Sequence, residues 1–309
     1  MSRLLSTVTF VALLVALVIP LPAAAQLPSA DSDVVVIDGG EEPRRELRYA
    51  WKEDQRERLQ SVVVVGVNAS EDGREMMEME LPVSMTIEAT VTKVEPDGSA
   101  WVALTFEEMA FGPLSASGDG VPDGDIATAG FDEAMSAVTP FLAETRVWQQ
   151  IDHRGRVIKT NVQFPDGFPL EARQQIAQTT GSVALLPEEP VGLGARWEAT
   201  GTSVNQGVAV SVTTTMELVE MDGDEVTIAM SLRPGDDLET ALSTVTPFDE
   251  LTIDGGGTYR LDLGGVYPRE ASVSMTMGMG GNLPNDEGAI VPIEMLVGVG
   301  MTMRTTEPS

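Results

Sequence analysis

Period two governs this chain. Ile87, Ala89 and Val91 alternate with Glu88, Thr90 and Thr92, and Val102, Leu104 and Phe106 alternate with Ala103 and Thr105. Val208, Val210, Val212, Met216 and Leu218 share one parity against Ser211, Thr213, Thr215 and Glu217. Val226 to Leu232, Tyr259 to Leu263, Val273 to Met279 and Ile293 to Met303 repeat the pattern. Successive side chains of a strand point to opposite faces, so such segments bury one face and wet the other, which is the habit of antiparallel sheets. Glu95-Pro-Asp-Gly98, Asp152-His-Arg-Gly155 and Met221-Asp-Gly-Asp224 read as hairpin turns between them, because Gly and Asp-Gly tolerate positive φ.

Helical spacing is rare. Phe131, Met135 and Val138 recur four and three apart before Pro140, and Leu170 to Thr179 follows Pro169 with Ala172 and Ile176 four apart. Roughly ten one-faced strands against two short helices leave far more apolar sheet than the helices can cover. The sheet must curl or fold onto itself.

The ends of the chain bear on its address. Arg3, the apolar stretch Phe10 to Leu21, and Ala23-Ala24-Ala25 before Gln26 have the order of a secretory signal peptide. Residues 1–25 are therefore expected to be a signal, and 26–45 a flexible leader with Ser29 to Asp33 and Asp38 to Glu42 as its turn-rich ends. The β-rich domain is expected over 46–305. No stable transmembrane segment is expected after signal cleavage; Val291 to Met303 is interrupted by Pro292, Glu294, Gly298 and Gly300. With no Cys, neither a disulfide nor a lipidated thiol is available. Whether the protein stays in the periplasm, sits on the cell surface or leaves the cell is left open.

Charge excludes two classes of partner. Asp and Glu number 48 against 19 Lys and Arg, a formal net charge of −29. Nucleic acid and anionic membranes are both bound through clustered bases, which this balance opposes.

Short matches hint at an internal duplication. Val94-Glu-Pro-Asp-Gly98 returns as Val219-Glu-Met-Asp-Gly223, and Ser136-Ala-Val-Thr-Pro-Phe141 as Ser243-Thr-Val-Thr-Pro-Phe248. Trp51 and Trp197 each open a half, so halves of about 46–165 and 185–305 are expected. The most distinctive segment is Leu186-Pro-Glu-Glu-Pro-Val-Gly-Leu-Gly-Ala-Arg-Trp197. Pro187 and Pro190 stiffen an extended approach, Gly192 and Gly194 permit a tight turn, and Trp197 enters the core as a strand begins. With Gly255 to Gly265, this element resembles an uncharacterised family of bacterial exported envelope proteins carrying LP-x-x-PVG-x-G-x-x-W between two similar β-rich halves. More distantly the layout looks like the outer-membrane lipoprotein-carrier superfamily, a half-barrel wrapped around an apolar cavity. These resemblances imply an address and a shape; neither fixes a function.

Candidate chemistry is sparse. His153 is the single His, in a turn, and no G-x-S-x-G is present to pair with it. Zinc and haem lack their ligands, and no phosphate loop occurs. Carboxylate pairs abound, but four Trp and three Tyr spread along the chain offer no sugar platform. Asp119, Asp123 and Asp125 lie in one Gly-rich loop whose oxygens suit calcium, without EF-hand spacing. Met275, Met277, Met279, Met301 and Met303 alternate on two late strands. They suit a packed core, the lining of an apolar cavity, or a thioether site for Cu(I).

The sequence thus predicts a mainly β fold: a curved antiparallel sheet or incomplete barrel with two short helices and two similar halves. The expected function is that of an exported, non-catalytic envelope protein. Its concave sheet would hold a lipid or other apolar small molecule against those five methionines, with no cofactor. The alternatives are a structural or interaction module of the envelope and a calcium-stabilised surface protein.

Overall fold

A computed structural model describes residues 34–117, 141, 143–168, 184–205, 208–235, 250–284 and 290–306. Thirteen strands make up one sheet: β1 (Val34–Asp38), β2 (Arg56–Glu71), β3 (Arg74–Val94), β4 (Ala100–Phe111), β5 (Ser115–Ser117), β6 (Arg146–Ile151), β7 (Val157–Gln163), β8 (Arg196–Asn205), β9 (Val208–Asp222), β10 (Glu225–Pro234), β11 (Glu250–Asp262), β12 (Glu270–Pro284) and β13 (Ile290–Thr306). The order is β1-β8-β9-β10-β11-β12-β13-β2-β3-β4-β6-β7, with β5 paired to the far part of β3. Every pairing is antiparallel, and the path does not close. The mainly β, open-sheet architecture is as expected. Both expected helices, over Phe131 to Val138 and Leu170 to Thr179, lie outside the described residues.

The sheet is two meanders placed side by side. β2-β3-β4-β6-β7 and β8-β9-β10-β11-β12 each run strand to neighbouring strand. The terminal strands cross over: β1, at the front of the chain, pairs with β8, and β13, at its end, pairs with β2. Each meander carries a register shift in the strand entering its second hairpin, at Val91/Lys93 in one and opposite Thr227/Ile228 in the other. A bulge there bends the strand and sharpens its twist, which curls the sheet.

β2 was not among the alternating segments, and its composition explains why. Val62 to Val65 is an unbroken valine run, so period two is invisible although the strand still divides its faces: Val65 and Val67 are buried while Val62 is exposed. The expected leader also needs correction. From Val34 onward it is docked, as β1 pairs with β8 through Val34↔Ala199, Val35↔Glu198 and Val36↔Trp197. Arg45 then bridges Val191 in both directions, N–H to carbonyl, at 3.0 and 2.9 Å. Four consecutive β-branched residues favour pairing, and the turn residues flanking them concealed it.

One end of the sheet is plugged. Two non-strand segments, 45–51 and 184–191, cross the end where the β3–β4, β6–β7, β9–β10 and β11–β12 turns gather. Tyr49 N donates to His153 O, Ala50 N to Leu263 O and Leu186 N to Arg154 O, at 2.7 to 2.9 Å. Leu47, Leu185, Leu186 and Trp197 are fully buried here. The main core extends from this plug to side chains of β8 at one side of the sheet and β6 at the other, so the sheet bends toward its apolar face around the plug.

Candidate functional site

The apolar face changes character along the strands. Near the plug lie the aromatic side chains Tyr49, Trp51, Trp197, Tyr259 and Tyr267 together with Leu and Val. Toward the opposite end lies a separate cluster: Val65 and Val67 of β2, Met77 and Met79 of β3, Met277 of β12, and Met295, Val297 and Val299 of β13. Leu114, Ile253 and Met279 pack against it.

Register assembles this second cluster. One row reads Ile253, Met277, Val297, Val67, Met79 across β11, β12, β13, β2 and β3. The next row outward reads Met279, Met295, Ala69, Met77. Directly opposed side chains in an antiparallel pair stand about 4.5–5.5 Å apart at Cβ, so each row is a continuous band of thioethers and short aliphatics. Every strand member of the cluster projects from the same face of the same sheet. Among the described residues, no helix and no second sheet faces it.

The five methionines singled out from the sequence share that apolar face, but they do not form one site. Met275 and Met303 belong to the plug-side core, with Met301 packed against it; Met277 belongs to the second cluster, with Met279 packed against it. Met77, Met79 and Met295 complete the methionine band, and sequence reasoning missed them. Met77 and Met79 alternate with glutamates on β3, which was the available signal. Their meeting with Met277 and Met279 depends on β13 pairing with β2, whose partners run from Ile293↔Glu71 to Thr306↔Arg58, more than 200 residues apart in the chain.

The opposite face is mostly polar, with Val62 and Leu296 as exposed apolar exceptions. Ser272, Ser274 and Thr276 of β12, Glu294 and Thr302 of β13, and Glu78, Glu80 and Ser84 of β3 are exposed there. A strand spanning a bilayer as part of a barrel presents an apolar band about 25 Å tall to lipid and polar groups to the lumen. This sheet has the reverse polarity. Ion pairs line its wet side, among them Arg58–Glu107 at 2.7 Å and Arg269–Asp262 at 2.6 Å. No helix among the described residues is long and apolar enough to cross a membrane.

The ionisable groups serve turns. Glu57 accepts from Gln55 Nε2 at 2.8 Å, from Val266 N with both oxygens and from Tyr267 N, and so holds the β11–β12 turn. Asp152 accepts from the N–H groups of Arg154 and Arg156 and from Arg156 Nε, all at 2.9 Å. The Ser99 N–H and hydroxyl donate to Asp97 and hold its pKa below the usual carboxylate range. Burial alone would raise Asp262, but the Arg269 guanidinium and the Gly264 N–H outweigh it and the net displacement is downward. Downward displacement fixes charge; a general acid at neutral pH needs the opposite. His153 sits in the β6–β7 turn beside Gly98. Among the described residues, no group of three or more His, Cys, Asp or Glu is placed to hold a metal ion. Asp119, Asp123 and Asp125 lie outside those residues.

The distinctive Leu186 to Trp197 element is structural in its contacts. Gly194 has φ of 74°, and Gly192 faces the Glu41 carbonyl so closely that a Cβ would lie 1.7 Å from its oxygen. Trp197 follows, fully buried, with Nε1 donating to Leu185 O.

No protein-family model matches the sequence, and no curated protein matches it. Among solved structures, a lipovitellin structure concerned with lipid–protein interactions is similar with a TM-score of 0.43 and 12% identity, over 84% of this chain and 26% of that one. This chain therefore spans about a quarter of the lipovitellin chain. The COG4313 outer membrane channel of Pseudomonas putida F1 is similar with a TM-score of 0.22 and 10% identity, over 84% and 97% of the two chains. OccK5 (OpdH) of Pseudomonas aeruginosa gives 0.20 and 8%, over 80% and 98%. All three TM-scores fall below 0.5.

Proposed function

We propose that this protein holds a hydrophobic molecule against the apolar face of its sheet, at the end away from the plug, and performs no catalysis. The observation that carries the reading is the second cluster. Buried side chains from one face of four neighbouring strands, β12, β13, β2 and β3, with Ile253 of β11 packed against them, gather there into an apolar cluster separate from the main core. Its lining of methionine and short aliphatics suits flexible chains, because unbranched, polarisable thioethers adapt to irregular apolar partners. The polar outer face supports a protein bathed in water. Arg3, Phe10 to Leu21 and Ala23-Ala24-Ala25 support an exported, envelope or extracellular address.

The test is native mass spectrometry of the purified chain, followed by solvent extraction and a thermal-shift series with long-chain fatty acids and phospholipids. An apolar adduct, and a melting temperature that rises with ligand concentration, are expected. An unadorned native mass with no thermal shift from any of these ligands would overturn the reading.

A further inference from the structure

Resting on the second cluster as the binding surface, we infer that the molecule held there is an uncharged single-chain amphiphile, such as a long-chain alcohol or ester, whose oxygen bonds the Ser61 hydroxyl. Ser61 shares its parity on β2 with Val63, Val65 and Val67, and so stands on the same face. Two residues inward, Leu59 belongs to the main core; two residues outward, Val63 packs against the second cluster. Met85 of β3 and Met303 of β13 flank Ser61 across the sheet, and Met301 is opposite Val63. The hydroxyl therefore marks the place where the two clusters meet. Ser61 is buried, whereas Val63, Met85 and Met301 beside it are only half-buried, so the polar group lies deeper than the apolar side chains around it.

That hydroxyl has no hydrogen-bond partner among the described residues. A desolvated, unpaired hydroxyl is destabilising. Water is a poor remedy, because a buried water needs two to four polar partners, and Leu59, Val63, Met85 and Met303 supply only apolar carbon and weakly accepting sulfur. Gln149 Nε2 is also buried without a partner, but it lies on β6 between Val147 and Ile151, within the main core. Ser61 is the residue of this kind on the apolar face of a strand of the second cluster. A ligand oxygen beside it completes the missing bond.

The surroundings set the charge of that ligand. Arg58 and Arg304, the bases of β2 and β13 nearest in register, alternate to the opposite face. A carboxylate or phosphate at Ser61 would be a buried anion with one hydroxyl and no cation, whereas an alcohol or ester oxygen needs no more than that hydroxyl. Fatty acids and phospholipids can lie on the band only with the head at its outer, water-facing end, forgoing this bond. The length suits one chain. Ser61 to Ala69, in the row of Met77 and Met279, spans roughly 26 Å of strand. An acyl chain covers half of a bilayer core, about 15 Å. The unbranched side chains of Met85 and Met301 can swing aside to admit it.

Equilibrium partition of radiolabelled dodecan-1-ol, methyl dodecanoate and dodecane into the purified full chain and into Ser61→Ala tests this. Ser61→Ala should weaken the alcohol and the ester by about five- to tenfold. Dodecane, which has no oxygen, should bind both proteins alike. Far-ultraviolet circular dichroism should be the same for both, since alanine fits where serine stood. Should all three ligands bind and the alcohol and ester show no loss, or a loss no larger than that of dodecane, the role of Ser61 and the ligand class are overturned while the binding surface stands. Binding of none of the three to the wild-type chain would overturn the binding surface itself, and this inference with it.

Discussion

The indole Nε1 of Trp197 donates to the carbonyl of Leu185 at 2.9 Å, twelve residues earlier, with both residues buried. This bond ties the first strand of the second meander to the plug, and the indole also lies between β1 and β9, paired with Val36 and Met216. Replacing Trp197 with Phe removes the donor, leaves the Leu185 carbonyl buried without it and opens a small void. The expected cost is about 2–4 kcal/mol. Urea denaturation should show the midpoint falling with an unchanged slope. A loss under about 0.5 kcal/mol, the level of an ordinary surface change, would show that the anchor is dispensable.

Gly192 and Gly194 should answer differently to the same change. A methyl at Gly192 meets the Glu41 carbonyl oxygen at 1.7 Å, and backbone must move to admit it. A methyl at Gly194 meets nothing within 4 Å but is held at φ of 74°. Gly194→Ala is expected to cost about 1 kcal/mol, the strain of a left-handed residue. Gly192→Ala should cost several times that and free residues 39–45 to hydrogen exchange. Equal effects from the two variants would contradict the close approach of Glu41.

All three tyrosines of the chain are buried. Burial pushes Tyr259 up to about 12 and raises Tyr49 and Tyr267 further in the same direction. Each folded-state pKa lies above the ordinary value near 10, so between these limits the unfolded chain binds fewer protons than the native one. The stabilisation is complete below pH of about 10 and is lost as pH rises through the folded values. Absorbance at 295 nm should therefore stay flat through pH 10 and climb together with the loss of far-ultraviolet β signal. A smooth titration near pH 10 with the fold intact would show an accessible phenol.

Ser61 stands on the apolar face of β2, opposite Met303 on one side and Met85 on the other, 4% exposed, and its hydroxyl has no hydrogen-bond partner among the described residues. Ser61→Ala deletes a desolvated polar group without stranding another. It is expected to raise stability by about 1 kcal/mol, read as a higher melting temperature. A drop would mean that the hydroxyl is bonded in solution.

Much of this fold was legible in the order of the residues, because a one-faced strand writes its burial at every second position. Ile87 to Val91, Val226 to Leu232 and Val273 to Met279 carried that record, and their turns were marked by Gly98, Gly155 and Gly223, all at positive φ. Where both faces carry the same residue type the record fails: Val62 to Val65 concealed β2, and Val34 to Ile37 concealed β1. The methionine band was only half legible, since Met277 and Met279 are near neighbours in the chain but Met77 and Met79 are not.

Local alternation, the turn glycines and the charge balance belong to the sequence alone, because each depends on a few adjacent residues or on a sum. Which strands become neighbours belongs to the tertiary structure. β13 meets β2 and β1 meets β8 through contacts far apart in the chain, and short-range pattern carries no information about such pairings. That choice divides the methionines between two clusters and leaves Val35 and Ile37 at an open edge, because a side chain's neighbours across a sheet are set by register rather than by sequence distance.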